Sequence, residues 1–383
     1  MADPTYFAPA ERASPEEIAA QVRLITDSPV TDGILRAADS LLAVLNEQRQ
    51  VVSVNEHLLE WLGIEDASTL LDLRVGEALG CVHAHEAPAG CGTTPFCMSC
   101  GQAIATVSAL DTGNVIERKC VIQANRDGAP SDLCLSVRAC PISVAGERFI
   151  ALLLRDISEE QRLAATERMV LHDLGNVING LQFVPVARDA PLNRQKIEEW
   201  AATINRMLGG FARTFRLHRA LVDARLDDYT PEYTEVVFAQ LFRDVQIVAT
   251  HHPAAQGKKL RIDAMTSAVV RTDQTAAARV LLNMLINAFE ATETGGTVRV
   301  NAHAGDERVR ISVWNAKSIP APLALRIFQR NFTTHDEPGR GLGTVSMKML
   351  GERMLGGDVH FTSNPEEGTT FVFNLPVRPP ETA

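Results

Sequence analysis

Three side chains within ERMVLHDLGNVINGLQFV, residues 167–184, carry chemistry at close spacing: His172, Asp173 and Asn176. Val170, Leu174, Val177, Leu181 and Val184 recur at alternating steps of four and three, and Leu163 sits one heptad before Val170. That is the apolar seam of a helix packed against other helices. With Leu174 on the seam, His172 falls on the opposite side, Asp173 lies beside it and Asn176 stands one turn on. An imidazole able to act as nucleophile or base, a carboxylate and an amide therefore face solvent together. Gly175 and Gly180 each cost such a helix about 1 kcal/mol relative to Ala.

A second constellation is GCVHAHEAPAGCGTTPFCMSCG, residues 80–101, which sets Cys81, Cys91, Cys97 and Cys100 within twenty residues. Its Cys-x-x-Cys pair lets two sulfurs reach one metal, and neighbouring glycines permit tight turns. Four thiolates suit a structural Zn²⁺ or an iron–sulfur cluster, with His83 and His85 as spare ligands. Reduced thiols in a loop and a redox disulfide switch are the alternatives the same spacing leaves open. Cys120, Cys134 and Cys140 lie on predicted strands and read as packing residues.

A third constellation lies toward the C-terminus. RTDQTAAARVLLNMLINAFEAT, from Arg271, is a predicted helix with Val280, Leu281, Met284, Leu285 and Ala288 inward, and with Asn283 and Asn287 one turn apart on its other side. Downstream, GRGLGT contributes Gly339, Arg340, Gly341, Leu342, Gly343 and Thr344. Its glycines let backbone approach phosphate oxygens closely, and the helix VSMKMLGERM that follows presents amides favourable to anions.

The elements that must position these groups follow a simple order. A short helix is predicted around Glu16–Ile25. LLAVLNEQRQVVSVNEHLLEWLGI reads as strand, turn, strand, then a helix opening near Asn55. LCLSVRACPIS and RFIALLLRDISEEQR read as two strands around a turn at Ala145 and Gly146, running into a charged helix. Beyond Pro185 a second long helix buries Ile197, Trp200, Ala201, Ile204, Leu208, Phe211 and Phe215. Two such helices make a hairpin whose apolar seam is satisfied by pairing with a second copy, so the expectation is a homodimer through a four-helix bundle. Four segments result: 1–33, a segment without identifiable chemistry; 34–157, with the cysteines; 158–230, the hairpin; and 231–383, in which helices and strands alternate.

Composition narrows the function classes. A chain of 383 residues with 45% hydrophobic residues supports two or three packed domains. A net charge of −10, with no basic patch and no helix-turn-helix pattern, argues against nucleic acid as the main partner. No basic segment precedes an apolar run at the N-terminus and no stretch approaches a membrane span, so the expected location is cytoplasmic. Seven cysteines in such a chain read as thiols or metal ligands rather than disulfides.

His-Asp-x-x-Asn on a heptad helix, followed in order by Asn283 and Asn287, FQRNFTT at 328–334, GRGLGT and GTTF at 368–371, resembles a two-component sensor histidine kinase from about Leu41 to Pro376. The resemblance implies a multidomain α+β chain: a PAS sensor domain, a helical hairpin that dimerises and carries the phosphoacceptor, and a GHKL-type α/β sandwich that binds ATP. It joins the first to the second through Arg155, Asp156 and Ile157. It implies that His172 takes a phosphoryl group from ATP and passes it to an Asp in the receiver domain of a response regulator, with Asp173 taking the proton. Asn176 resembles the residue that positions water when such kinases also act as phosphatases. Asn287 would hold Mg²⁺ through its amide oxygen, and Asn283 stands where hydrolysing members carry a Glu, which disfavours ATP hydrolysis. Phe328 and Phe332 would belong to a lid, Arg330 or Arg340 would sit near phosphate charge, and Thr369 under the adenine.

One stretch departs from the family. Where most members read Asp-x-Gly-x-Gly, this chain reads VWNAKSIP, so Asn315 replaces the Asp that accepts a hydrogen bond from the adenine amino group, and Lys317 and Ser318 replace glycines. An Asn carbonyl can accept the same bond without the charge. A hydrolysing ATPase is opposed by Asn283 and by the His172 box; a metal- or redox-sensing dimeric scaffold with a degenerate nucleotide-binding domain is left open by Asn315.

Overall fold

The computed structural model describes residues 5–126, 129–164, 167, 212–217, 219–221, 229–330, 332 and 343–379. They belong to two units, Met1–Gln161 and Arg162–Ala383. His172, Asp173 and Asn176 lie outside the described residues, as do Gly339, Arg340, Gly341, Leu342 and most of the expected hairpin.

The first unit is built on one antiparallel sheet of β1 (Leu41–Leu45), β2 (Val51–Val54), β3 (Ile116–Arg126), β4 (Ala129–Val144) and β5 (Glu147–Asp156), in the order β2-β1-β5-β4-β3. β1 reads as an unbroken apolar run because both of its faces are covered. Ala43 and Leu45 join Leu135, Val137, Ile150, Leu152 and Leu154 on one side. Val44 joins Val52 and Phe149 on the other, where α1 (Pro15–Thr26) lays Ile18 and Ile25. That helix starts with a capping box in which Ser14 and Glu17 bond each other's backbone N–H. It makes the N-terminal segment part of this core.

After α2 (Pro29–Ala37), Asn55 opens α3 (Glu56–Leu62): its Oδ1 accepts from the N–H of Leu58 at 3.1 Å and of Leu42 at 3.0 Å, tying the helix to β1. The β4–β5 hairpin turns through Ala145 and Gly146 at φ 50° and 89°, a two-residue loop whose twist matches that of the strands. Beyond the short α4 (Val75–Ala78), α5 (Gly101–Thr112) lies so close to β3 that a Cβ at Gly101 would stand 2.0 Å from the Lys119 carbonyl oxygen, so no other residue fits there. After β5, Asp156 accepts from the N–H of Ser158 at 2.9 Å and starts the helical residues 158–164.

The second unit packs helices on one face of a mixed sheet in the order β11-β12-β10-β9-β7. β7 (Lys259–Ala264) runs parallel to β9 (Thr297–Ala304); β10 (Arg308–Asn315), β11 (Asp358–Asn364) and β12 (Gly368–Pro376) complete it antiparallel. β6 (Tyr233–Val237) and β8 (Val269–Asp273) form a separate antiparallel pair. Val298, Val300, Ala302, Val309, Ile311, Val313, Phe371, Phe373 and Leu375 alternate inward along the sheet. They meet α6 (Phe238–His251), α7 (Gln274–Ala291) and α8 (Gly343–Lys348), the last continuing into a wider π-helical turn over Met349–Met354. All five residues predicted to face inward on α7 are buried.

Candidate functional site

α7 is anchored before it begins. Asp273, 1% exposed, accepts from the N–H of Ala276 at 2.8 Å through one oxygen and from the Tyr229 hydroxyl and the Glu232 N–H through the other, at 3.0 and 2.8 Å. Burial beside that carboxylate pushes the Tyr229 phenol well above its ordinary range, so it stays a donor. The fixed helix then presents Asn283 and Asn287 to the start of α8. Asn283 Nδ2 donates to Ser346 Oγ at 2.7 Å, and Ser346 Oγ donates to the Gly343 carbonyl at 2.8 Å. A Cβ at Gly343 would lie 3.6 Å from Asn287 Oδ1 and 3.9 Å from Asn283 Oδ1. Asn287 Nδ2 is buried with no hydrogen-bond partner among the described residues. Two amides therefore converge under one helix start, one locked and one unsatisfied, and an unsatisfied buried amide marks a place built for something further. An amide oxygen is also the donor type a hard cation prefers, so Asn287 fits Mg²⁺.

The position of the departure from the family forms a closed relay. Asn315 ends β10, 2% exposed, with its Nδ2 donating to the Lys317 carbonyl at 3.0 Å. Thr369, opposite Asn315 in the β10–β12 register, donates from Oγ1 to the same carbonyl at 2.8 Å. Ser363 Oγ lies 2.8 Å from Thr369 Oγ1 and accepts from the Ile319 N–H at 2.7 Å. The Lys317 carbonyl thus takes two donors and sets the orientation of the Asn315 amide: nitrogen toward Lys317, oxygen left as the acceptor. Gly368 begins β12 at φ +78°, where a Cβ would stand 2.3 Å from the Asn315 carbonyl oxygen.

Phe328 and Phe332, expected in a lid, and Arg330, expected near phosphate charge, each have a defined neighbour. Phe328 packs edge-on against Phe361 and Phe371, centroids 5.7 and 6.4 Å apart, as part of the core margin. Phe332 lies under the Arg326 guanidinium, 4.4 Å from the ring centre. Arg330 donates to the Leu221 carbonyl. Gly343 and Thr344 begin α8, while the rest of the glycine loop is outside the described residues.

In the first unit, residues 80–101 form an irregular loop held by buried arginines. Arg74, 1% exposed, donates to the carbonyls of Ala89 and Cys91 at 2.9 and 3.1 Å, and of Ala10 and Glu11 at 3.1 and 2.8 Å. Burial lowers its pKa to about 10. Arg49 donates to the Pro9 carbonyl at 2.6 Å. The N-terminal arm bonds the loop directly, from the N–H of Tyr6 to the Thr93 carbonyl and from that of Ala8 to the Gly92 carbonyl, at 3.0 and 2.9 Å.

All seven cysteines are thiols. Cys97 Sγ accepts from the Gly92 N–H at 3.2 Å, lies 3.3 Å from Thr94 Oγ1 and is hydrogen-bonded by the Cys91 thiol. The bond from Cys91, then those from Thr94 and Gly92, bring the Cys97 pKa down to about 5 against the opposing effect of burial; the same bond to Cys97 and burial push the Cys91 thiol well up. Cys100 Sγ lies 3.7 Å from Cys120 Sγ. Cys81 and Cys100 remain within electrostatic reach of Cys91. Among the described residues, no three His, Cys, Asp or Glu side chains come together as a set that could hold a metal ion. The four-cysteine zinc or iron–sulfur arrangement expected from the spacing is thus not shown among the described residues, where Cys97 has local donors and Cys100 lies beside Cys120. His83 stacks on Phe96 at 3.7 Å and bonds Glu86 at 2.7 Å rather than approaching the sulfurs as a ligand. Cys120 and Cys134 are buried on strands, as packing residues should be.

Sequence reasoning passed over Ser346, Arg74 and Arg49. A serine inside a helix and single arginines between apolar residues carry no local signal; only the folded chain reveals what they hold.

Residues 272–379 match the family described as Histidine kinase-, DNA gyrase B-, and HSP90-like ATPase, so the second unit carries an α/β sandwich domain of this ATPase type. Sensor protein DegM of Bacillus sp. (strain B21-2) is 28% identical over 135 residues, 34% of this chain and 36% of its own length. Sensor histidine kinase ZraS of Escherichia coli (strain K12) is 35% identical over 109 residues, 28% of this chain and 23% of its own length. Among solved structures, the catalytic domain of histidine kinase ThkA is 31% identical, covering 39% of this chain and 97% of that one at a TM-score of 0.36. The chain spans half or less of the length of these curated relatives. Among the described residues, no helix is long and apolar enough to cross a membrane.

Proposed function

We propose that this chain is a sensor histidine kinase. The observation that carries the proposal is the pair Asn283 and Asn287 beneath the first turn of α8, within a stretch that matches the ATPase family. ATP binds with its phosphates against the glycine loop and Asn287. Mg²⁺, held through the Asn287 amide oxygen, supplies charge neutralisation at the phosphate oxygens when bound. Asn315 Oδ1 accepts from the adenine amino group, since the Lys317 carbonyl already takes the amide nitrogen; a purine with an oxygen at that position would meet acceptor against acceptor.

His172 attacks the γ-phosphorus through a ring nitrogen. The N–P bond forms, the bond to the bridging β,γ-oxygen breaks, ADP leaves, and Asp173 takes the ring proton. In phosphoryl transfer, positioning and charge neutralisation dominate over covalent work by the protein. Asn283 cannot accept a proton and is held by Ser346, so the site is poor at activating water and suited to a delivered acceptor. The phosphoryl group then moves to an aspartate in a response regulator's receiver domain, and Asn176 positions water for the phosphatase reaction, in which water attacks that aspartyl phosphate and releases inorganic phosphate.

The strand order β2-β1-β5-β4-β3, with α3 and α5 on one face and α1 on the other, supports a PAS-like sensor domain for the first unit. The seam residues 163–184 support a helical hairpin that pairs two chains into a four-helix bundle. The test is labelling of the full chain with γ-labelled ATP: an acid-labile, base-stable label is expected, and it disappears in His172→Gln. Persistence of the label in that variant overturns the acceptor assignment, and absence of both label and ATP binding in the unaltered chain favours a scaffold with a degenerate nucleotide domain.

A further inference from the structure

We propose that Cys100 and Cys120 are an oxidation site: a hydroperoxide converts the two thiols into a disulfide that joins the start of α5 to β3. The inference concerns these thiols alone and holds whether or not His172 is phosphorylated.

Cys100 is the residue on which α5 begins and Cys120 lies on β3, yet their sulfurs stand 3.7 Å apart, within hydrogen-bond reach of each other. The sulfurs of a disulfide are about 2.0 Å apart, so oxidation has a gap of only about 1.7 Å to close. The backbone on either side is already in place. A Cβ at Gly101 would stand 2.0 Å from the Lys119 carbonyl oxygen and 3.1 Å from Cys120 Cα, so the chain next to Cys100 rests directly on the chain next to Cys120. Cys120 is held in register opposite Leu135 on β4, and the Cys100 carbonyl accepts from the Ile104 N–H at 2.9 Å in the first turn of α5. A strand and a helix therefore hold the two residues before any bond forms, and little further ordering is asked of either.

Burial sets the order of events. Cys120 is 1% exposed and Cys100 is half-buried, so an oxidant arriving from solvent meets Cys100 first. Both sulfurs border the apolar cluster of Leu133, Leu135 and Ala105, which admits a small oxidant rather than a bulky disulfide. Cys134 does not compete for Cys120, because it packs with Val121 and Ile157 in a separate cluster, on the opposite face of the hairpin.

The Cys100 sulfur attacks one oxygen of the hydroperoxide: an S–O bond forms, the O–O bond breaks, and the thiol proton goes to the departing oxygen, which leaves as water or an alcohol. The sulfur is oxidised by two electrons to a sulfenic acid as the peroxide is reduced. The Cys120 sulfur then attacks Cys100: S–S forms, S–O breaks, and the hydroxyl departs as water with the Cys120 proton. The net change is two thiols plus a hydroperoxide giving a disulfide, water or an alcohol, and a further water. The bond ties the end of the cysteine loop to the strand whose Lys119 donates to Gln161 Oε1 at 3.0 Å.

The test uses the full chain, reduced and freed of reductant, treated with hydrogen peroxide, alkylated under denaturing conditions and mapped by peptide mass. A Cys100–Cys120 cross-link reversed by dithiothreitol is expected, with Cys134 and Cys140 still alkylated. In Cys120→Ser the cross-link is lost and dimedone captures a sulfenic acid on Cys100; in Cys100→Ser both the cross-link and the dimedone adduct are lost. Should either serine variant fail to fold, the map of the unaltered chain and of Cys140→Ser, expected to cross-link as the parent does, still decides. A cross-link joining Cys100 or Cys120 to any other cysteine, dimedone capture on Cys120 in Cys100→Ser, no cross-link, or a stoichiometric metal that must be stripped before Cys100 reacts each overturns the proposal.

Discussion

The cysteine loop of the first unit and the asparagine face of the second are both polar sites set into apolar cores, and they are held in opposite ways. The loop has no regular structure over much of its length, and side chains from elsewhere fix it: Arg74 and Glu77 bond its backbone, and Arg49 stands behind it. The asparagines sit on regular elements, α7 and β10, and there the backbone is satisfied while a side chain, Asn287, is left without a partner among the described residues. The difference teaches where each site spends its polar groups. Buried backbone in a loop must be satisfied by someone, so the loop consumes arginines for structure. A helix satisfies its own backbone, so its side chains stay available for a ligand.

Breaking the loop's support gives the largest expected effect. Arg74→Met leaves four carbonyls, that of Cys91 buried and those of Ala89, Ala10 and Glu11 part-buried, without their donor and lowers the stability of the first unit by about 3 kcal/mol, while the second unit keeps its own. Hydrogen exchange resolved by peptide separates the two, and equal loss of protection in both units would refute the contrast.

The opposite manipulation, restoring the family's usual residue on β10, is expected to harm. Asn315→Asp brings a carboxylate oxygen against the Lys317 carbonyl, 3.0 Å from the present nitrogen, and costs about 1–3 kcal/mol of stability without raising ATP affinity. Thermal unfolding and an ATP titration check it; a tighter site at undiminished stability would mean that the Lys317 carbonyl can turn away. For Asn287→Ala the prediction is a tenfold or greater loss of Mg·ATP affinity, about 1.4 kcal/mol, with unfolding unchanged because its amide nitrogen has no hydrogen-bond partner among the described residues. If calorimetry finds affinity intact, that amide is not the metal's ligand.

The smallest effect belongs to Ser346→Ala. Freeing Asn283 and the Gly343 carbonyl is worth about 1 kcal/mol of stability, and it sharpens the comparison by converting a locked amide into a second unsatisfied one. A chemical-denaturation midpoint that does not move would show the relay to be dispensable.

The two sites also differ in how far they could be read in advance. The inward face of α7, the Asn55 helix start, the Ala145–Gly146 hairpin and the α1 helix all follow from periodicities of 3.6 and 2 and from caps and turns that act over a few residues. The asparagines inherit that legibility, since their spacing puts both on one side of a strongly patterned helix. The cysteines do not. Cys-x-x-Cys spacing suggested four convergent thiolates, yet Cys100 begins α5 and turns toward Cys120 on the neighbouring strand, while Cys97 is claimed by Gly92, Thr94 and Cys91. The contacts of Phe328 with Phe361 and Phe371 likewise carry no signal in the order of motifs.

By itself, then, the order of residues determined the elements, the buried stripe of each and the placement of Asn283 and Asn287 on one helix, because those depend on interactions between near neighbours along the chain. Only the tertiary structure decided that Lys317 orients the Asn315 amide, that Ser346 locks Asn283, and that Arg74 ties the cysteine loop to the N-terminal arm. Each of these joins residues whose partners are chosen by how strands and helices stack, and a hydrogen bond that forms only at about 3 Å leaves no trace in spacing along the chain.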